Sequence, residues 1–184
     1  TTVAVNLAAE LAQIAPDDLS HPLAPSIESA RLGLYALGRL QAYDALAAAV
    51  LDGRGQPRAP WWPIAFALGR AQDARAIPAL RAMAATPTTY TRGFAIRGLA
   101  ALGDAEVAPV VVSILAGAQV DPFVEVEAIR AAGRLRAAAA IQPLGRRAFG
   151  STVPPTVRAE AIAALAEIGI EDGEVREGLF DLVS

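Results

Sequence analysis

Residues 67–80 read ALGRAQDARAIPAL, and the fold turns on how this stretch is parsed. Taken alone it is one apolar helix broken by Pro78. Laid over the rest of the chain it recurs. A shift of 31 places it on GLAALGDAEVAPVV at 98–111, with Asp73 on Asp104 and Pro78 on Pro109. YALGRLQAYDAL at 35–46 falls on FALGRAQDARAI at 66–77. AAGRLRAAAAIQPL at 131–144 sets Gly133 on Gly69, and VRAEAIAALAEIG at 157–169 falls on VEVEAIRAAGRLR at 124–136. The position of Gly69 is thus occupied by Gly38, Gly69, Ala100, Gly133 and Ala166, spaced by 31, 31, 33 and 33 residues. A small residue at every copy of one position marks a repeat, which must be recognised before any local reading is trusted.

Each unit reads as two helices. In the last, Val157, Ala161, Ala164, Leu165 and Ile168 form one apolar stripe with Arg158, Glu160 and Glu167 between them. The small residue is expected where helices approach closely, because a larger side chain would meet packed neighbours. Asp73 and Asp104 are expected to cap the second helix, with Pro78 and Pro109 in its opening turn, where proline is tolerated. Pro143 sits one residue later in its unit. The expected map is a helix near 2–15, a loop at 16–25, then helix pairs near 26–52, 60–85, 88–117, 122–149 and 155–183. GRGQPRAP at 53–60 and GSTVPP at 150–155 read as longer connectors. Residues 1–25 form an N-terminal segment and 26–184 the repeat array.

The pattern ALGRAQDARAIPAL resembles the HEAT-like repeats, specifically the short type named after phycobilisome lyases. The resemblance covers about 26–183. It implies an all-α, right-handed α-solenoid (an α-α superhelix) of about five two-helix repeats plus an N-terminal helix. Its functional implication is a non-enzymatic protein–protein interaction scaffold. The alternative is an enzyme or enzyme-accessory domain, bilin-lyase-like or attached to a catalytic module such as a cyclophilin-type prolyl isomerase. Repeat 1 departs from the pattern with Ala42 in place of the capping Asp, and repeat 5 with IEDGE at 170–174. No catalytic residue carries over.

Composition agrees with a packed helical chain. Hydrophobic residues make up 54% and charged residues 19% of 184, and aromatics only 5%, so the core must be built from Ala, Leu, Ile and Val. All 16 basic residues are Arg. The net charge of −3 argues against a nucleic-acid partner. Residues 1–100 carry 9 Arg against 7 acids, and residues 101–184 carry 7 Arg against 12. No cysteine is present, so disulfides and thiolate chemistry are excluded. No apolar run reaches membrane-spanning length and no signal peptide is visible, which leaves the compartment open. The sole histidine, His21, lies in SHPLAP without a ligand-like neighbour set. The acid pairs Asp17-Asp18 and Glu171-Asp172 are adjacent residues, which face apart on a helix. GRGQP lacks the Lys-Ser/Thr of a phosphate loop. No catalytic, cofactor or metal site is expected.

Stacked repeats align equivalent positions into columns. One column holds Arg31, Tyr35 and Arg39 in repeat 1, and Trp62, Phe66 and Arg70 in repeat 2. It continues as Gly93, Arg97 and Ala101, then as Val126, Arg130 and Arg134, with Trp61 beside it. A face expected to be polar thus carries aromatics among arginines, the composition of interface hot spots. It is the candidate surface for a protein partner or a neighbouring domain. The competing reading covers these aromatics with the N-terminal helix or the 53–60 loop. Arg75, Arg81, Arg146 and Arg147 are weaker candidates on a concave face lined by the second helices. The terminal EGLFDLVS keeps Leu179, Phe180, Leu182 and Val183 without a polar capping repeat, so a further repeat or a partner is expected at that end. With a start at Thr1-Thr2, the chain reads as a piece of a longer repeat protein.

Overall fold

The computed structural model describes residues 2–12, 25–117, 119–169, 173 and 177. His21, the loop around it, the Glu171-Asp172 pair and the apolar end at Leu179–Val183 lie outside them. The elements are α1 (Thr2–Ala12), α2 (Pro25–Arg39), α3 (Tyr43–Val50), α4 (Trp62–Arg70), α5 (Ile77–Ala84), α6 (Thr89–Ala101), α7 (Ala108–Ala116), α8 (Pro122–Arg134), α9 (Ile141–Phe149) and α10 (Pro155–Ile168). Among the described residues β-structure is limited to one isolated bridge, Leu51 to Pro57. No described helix is long and apolar enough to cross a membrane. The fold is an all-α helical repeat.

Three of the four described corners between paired helices share one construction. The first helix ends, one residue takes a left-handed conformation, and a single 3₁₀ turn leads into the second helix. The α2–α3 corner has the left-handed residue, Gln41, without the 3₁₀ turn. These turns span Ala74–Ala76, Ala105–Val107 and Ala138–Ala140. Asp73 accepts the Arg75 backbone N–H at 2.9 Å and so caps the first of them. Asp104 stands at the equivalent position but makes no capping bond to its 3₁₀ turn. Pro78 and Pro109 are the second residues of α5 and α7, where a missing N–H breaks no helical bond.

The chain divides into two compact units, Thr1–Leu102 and Gly103–Ser184. In the first, α2, α4 and α6 pack in sequence, α5 lies against α6, and α1 rests on α3 and α2. Leu34, Leu37, Leu46, Ile64, Leu68, Leu80, Met83, Ile96 and Leu99 are fully buried in it. In the second, α8 packs on α7 and α10, and α9 on α10. Its core includes Val111, Leu115, Ile129, Leu144 and Leu165. In the α10 stripe Val157, Ala161, Ala164 and Leu165 are buried and Ile168 half-buried. Burial at this level, rather than helix propensity, holds such short helices together.

The repeated small residue lies at helix crossings. A Cβ on Gly69 would stand 2.8 Å from the Gly98 Cα of α6, and one on Gly38 would stand 3.1 Å from the Ala67 carbonyl oxygen of α4. On Gly133 it would meet Ala164 Cα of α10 at 2.9 Å. Ala100 is buried as well, whereas Ala166, on the last of these helices, is exposed.

Candidate functional site

Four aromatic rings cluster on the α2–α4–α6 layer of the first unit. Trp62 and Phe66 are one turn apart on α4. Tyr35 of α2 meets Phe66 edge-on at 5.1 Å and lies 6.2 Å from Trp62. Phe94 of α6 stacks on Trp62 at 5.1 Å and meets Phe66 edge-on at 5.7 Å. Each outer ring therefore touches both central ones, in the offset and edge-to-face geometries that aromatic quadrupoles favour. Trp61, Trp62, Phe66, Tyr35 and Phe94 are all half-buried. Packing among the rings shields their inner sides, and part of each remains open to solvent.

Arginines edge the cluster. The Arg31 guanidinium lies 5.8 Å from the Tyr35 ring centroid and the Arg97 guanidinium 4.9 Å from that of Phe94. Arg31 also pairs with Glu28 one turn earlier at 2.6 Å. Arg39 and Arg70 end α2 and α4, and both are exposed. The missing side chain of Gly38 lets Arg70 approach: a Cβ there would be 3.2 Å from Arg70 Cβ. The structure thus brings together Arg31, Tyr35, Arg39, Trp62, Phe66, Arg70 and Arg97 on one layer, with Trp61 at its N-terminal edge.

Phe94 escapes a register-based search. The column position in repeat 3 is Gly93, and the ring is supplied by the next residue. A glycine where the neighbouring repeat has tryptophan, followed at once by phenylalanine, was the available signal.

Arg130 and Arg134 belong to the second unit. Arg130 donates from Nε to Glu160 of α10 at 2.9 Å, its Nη2 also pairs with that carboxylate, and it reaches Glu127 at 3.5 Å. This bond holds the Glu160 carboxyl below its ordinary range. Arg134 is exposed.

The arginines expected on the second helices are used differently from one another, and Arg75 stands in the 3₁₀ turn before α5 rather than on it. Arg75 is an internal staple. Its guanidinium lies 4.4 Å from the Tyr43 ring centroid, pairs with Asp44 at 2.8 Å and with Asp73 at 2.7 Å, and its carbonyl accepts the Tyr43 hydroxyl at 2.9 Å. The Arg75 guanidinium and backbone N–H hold Asp73 below the usual carboxylate range, and burial pushes the Tyr43 phenol up. Arg147 is only 13% exposed; it braces Glu125 at 3.0 Å and donates to the Gly117 carbonyl at 3.1 Å. Arg81 and Arg146 are exposed.

The connector at 51–58 is an ordered tight loop. Asp52 accepts the backbone N–H groups of Arg54 and Gln56, each at 2.8 Å, and Gly55 takes φ 75°. These two N–H donors hold the Asp52 carboxyl low. A shallow groove beside the loop is lined by Gln56, Pro57, Pro60, Ala82, Met83 and Thr86. Among the described residues no group of His, Cys, Asp and Glu could hold a metal ion.

The family model of HEAT repeats matches residues 62–122 and 83–166. No curated protein matches the chain. Among solved structures, the chain is similar to one from the complex of CpcE and CpcF of phycocyanin lyase from Nostoc sp. PCC7120. The TM-score is 0.63 at 22% identity, over 93% of this chain and 71% of that chain. Likeness at that identity is a likeness of fold.

Proposed function

The chain belongs to the HEAT-repeat family, and from that premise we propose that it is a non-enzymatic scaffold that binds a protein partner or a neighbouring domain through its first unit. The carrying observation is the half-buried cluster of Tyr35, Trp62, Phe66 and Phe94 with arginines at its edges. Rigid aromatics lose little side-chain freedom on binding, and arginine donates in a planar fork, so this composition recurs at the energetic centres of interfaces. Aromatics needed only for the core would be fully buried, as Leu34, Leu37, Leu68 and Leu99 of the same helices are.

The test is affinity purification from extracts of the source cells, comparing wild type with a Trp62→Ala, Phe66→Ala, Arg70→Ala variant. Loss of a specific partner from a variant that still melts cooperatively supports the reading. Identical partner lists overturn this face as the site.

One observation favours a second reading, an enzyme or enzyme-accessory domain: the similar solved structure is of a phycocyanin lyase complex. Incubating the chain with a bilin and an acceptor apoprotein, and following chromophore attachment by absorbance, separates the two. Attachment that depends on the chain would replace the scaffold reading.

A further inference from the structure

The α2–α4–α6 layer carries a charge of its own sign. Its helices hold Arg31, Arg39, Arg70, Arg92 and Arg97 against a single acid, Glu28. This is a local excess of positive charge in a chain of net charge −3. The apolar area extends beyond the four rings. Leu32 and Tyr90, each 56% exposed, lie one turn before Tyr35 and Phe94 on their helices. The layer therefore combines an open apolar centre with a rim of guanidinium groups, two of which, on Arg39 and Arg70, sit at exposed helix ends.

We infer that this layer binds an acidic protein segment that sets an aromatic or large aliphatic side chain on the ring cluster and carboxylates against Arg39 and Arg70. The inference rests on the scaffold reading above and names the partner's chemistry. Charge complementarity selects the occupant. A basic segment would face Arg31, Arg39, Arg70 and Arg97, and like charges brought together in an interface oppose association. A second copy meeting the layer with its own layer would juxtapose the same arginines. Carboxylates match guanidinium in the two-pronged geometry that fixes register as well as charge.

The protein supplies its own reporter, because Trp61 and Trp62 are its two tryptophans. Three tryptophan-free dodecapeptides are titrated into the full chain while indole emission is followed. One is rich in Asp and Glu with a central Phe-Leu pair. The second replaces that pair with Ser, and the third replaces its acids with Arg. A fifteen-residue oligodeoxythymidine and a dilution series of the protein alone complete the set.

The expected result is saturable binding of the first peptide, weakened at least about tenfold by Arg39→Glu with Arg70→Glu and by raising the salt from 50 to 300 mM. The Ser peptide should bind more weakly and the Arg peptide not at all. Both reversed residues are exposed but end their helices, where Glu opposes the helix dipole, so melting should stay cooperative with a midpoint only slightly lowered, which certifies the fold. Absence of binding by the first peptide overturns the inference, as does equal affinity for the charge-reversed protein. Stronger binding of the oligonucleotide, or an emission change on dilution alone, overturns it in favour of nucleic acid or a second copy. If the peptide fails while the Trp62→Ala triple variant still loses a cellular partner, the site stands and only its acidic preference falls.

Discussion

At the scale of single residues, one backbone feature marks the repeat as sharply as the small residue does. Gln41, Gln72, Gly103, Arg136 and Gly169 all have positive φ, between 49° and 81°. Their spacing is 31, 31, 33 and 33, the spacing of the Gly69 position. Each stands one or two residues past the end of α2, α4, α6, α8 or α10. At 41 and 136 the following N–H bonds the carbonyl five residues back, Ala42 to Leu37 at 3.1 Å and Ala137 to Ala132 at 3.0 Å, which is the Schellman closure. Only two of the five are glycine, so sequence comparison passed over the position: Gln and Arg gave no sign of a left-handed turn. L-residues pay about 1 kcal/mol or more there. Arg136 is exposed, and Arg136→Gly is expected to stabilise the protein by about 0.5–1 kcal/mol. Gly103→Ala, at φ 72° in open space, should cost about as much. Urea unfolding of both variants checks the pair of signs, and a destabilised Arg136→Gly would refute the strain at that corner. Gln72 is a poorer test, because its side-chain amide donates to the Gly69 carbonyl at 3.0 Å and glycine would lose that bond.

At the scale of elements, the helix pairs and their close crossings were legible because small residues and prolines have steric meanings that survive divergence. Gly69 was identifiable as a packing position from its copies alone. Its contact was not, since Gly98 lies 29 residues on rather than at the repeat period. The aromatic column was likewise visible at Tyr35, Trp62 and Phe66, whereas Phe94 was hidden by a one-residue offset. Periodicity reports which residues share a face; it does not report which rings close on one another. Nor did it separate arginines that brace the fold through ion pairs, such as the exposed Arg75 and the half-buried Arg147, from those that line the ring cluster, such as Arg70. The crossing itself is testable. At Gly69 the obstacle to a Cβ is backbone at 2.8 Å, which cannot rotate away. Gly69→Ala should therefore destabilise by about 1–3 kcal/mol, and Gly69→Leu by at least as much. Gly53→Ala, with nothing within 4 Å, is the control and should stay within about 0.5 kcal/mol of wild type. Unchanged melting of Gly69→Ala would remove the close-packing role.

At the scale of the whole molecule, a repeat chain gains stability from each unit's own packing and from nearest neighbours, so distant parts need not melt together. Here the two compact units each bury a set of large aliphatic side chains. Both tryptophans lie in the first unit, while helices occur in both. Indole emission consequently follows the first unit alone, and far-ultraviolet circular dichroism follows the entire chain. Leu144 of α9 and Leu68 of α4 are both fully buried. Truncating either to alanine should cost about 2–5 kcal/mol locally. In denaturant, Leu144→Ala is expected to move the dichroism curve to lower concentration while the emission midpoint shifts less. Leu68→Ala should instead move the emission midpoint at least as far as the dichroism midpoint. If both probes shift together in both variants, the chain unfolds as one cooperative block. The ring cluster would then draw its rigidity from every repeat rather than from the three helices that carry it.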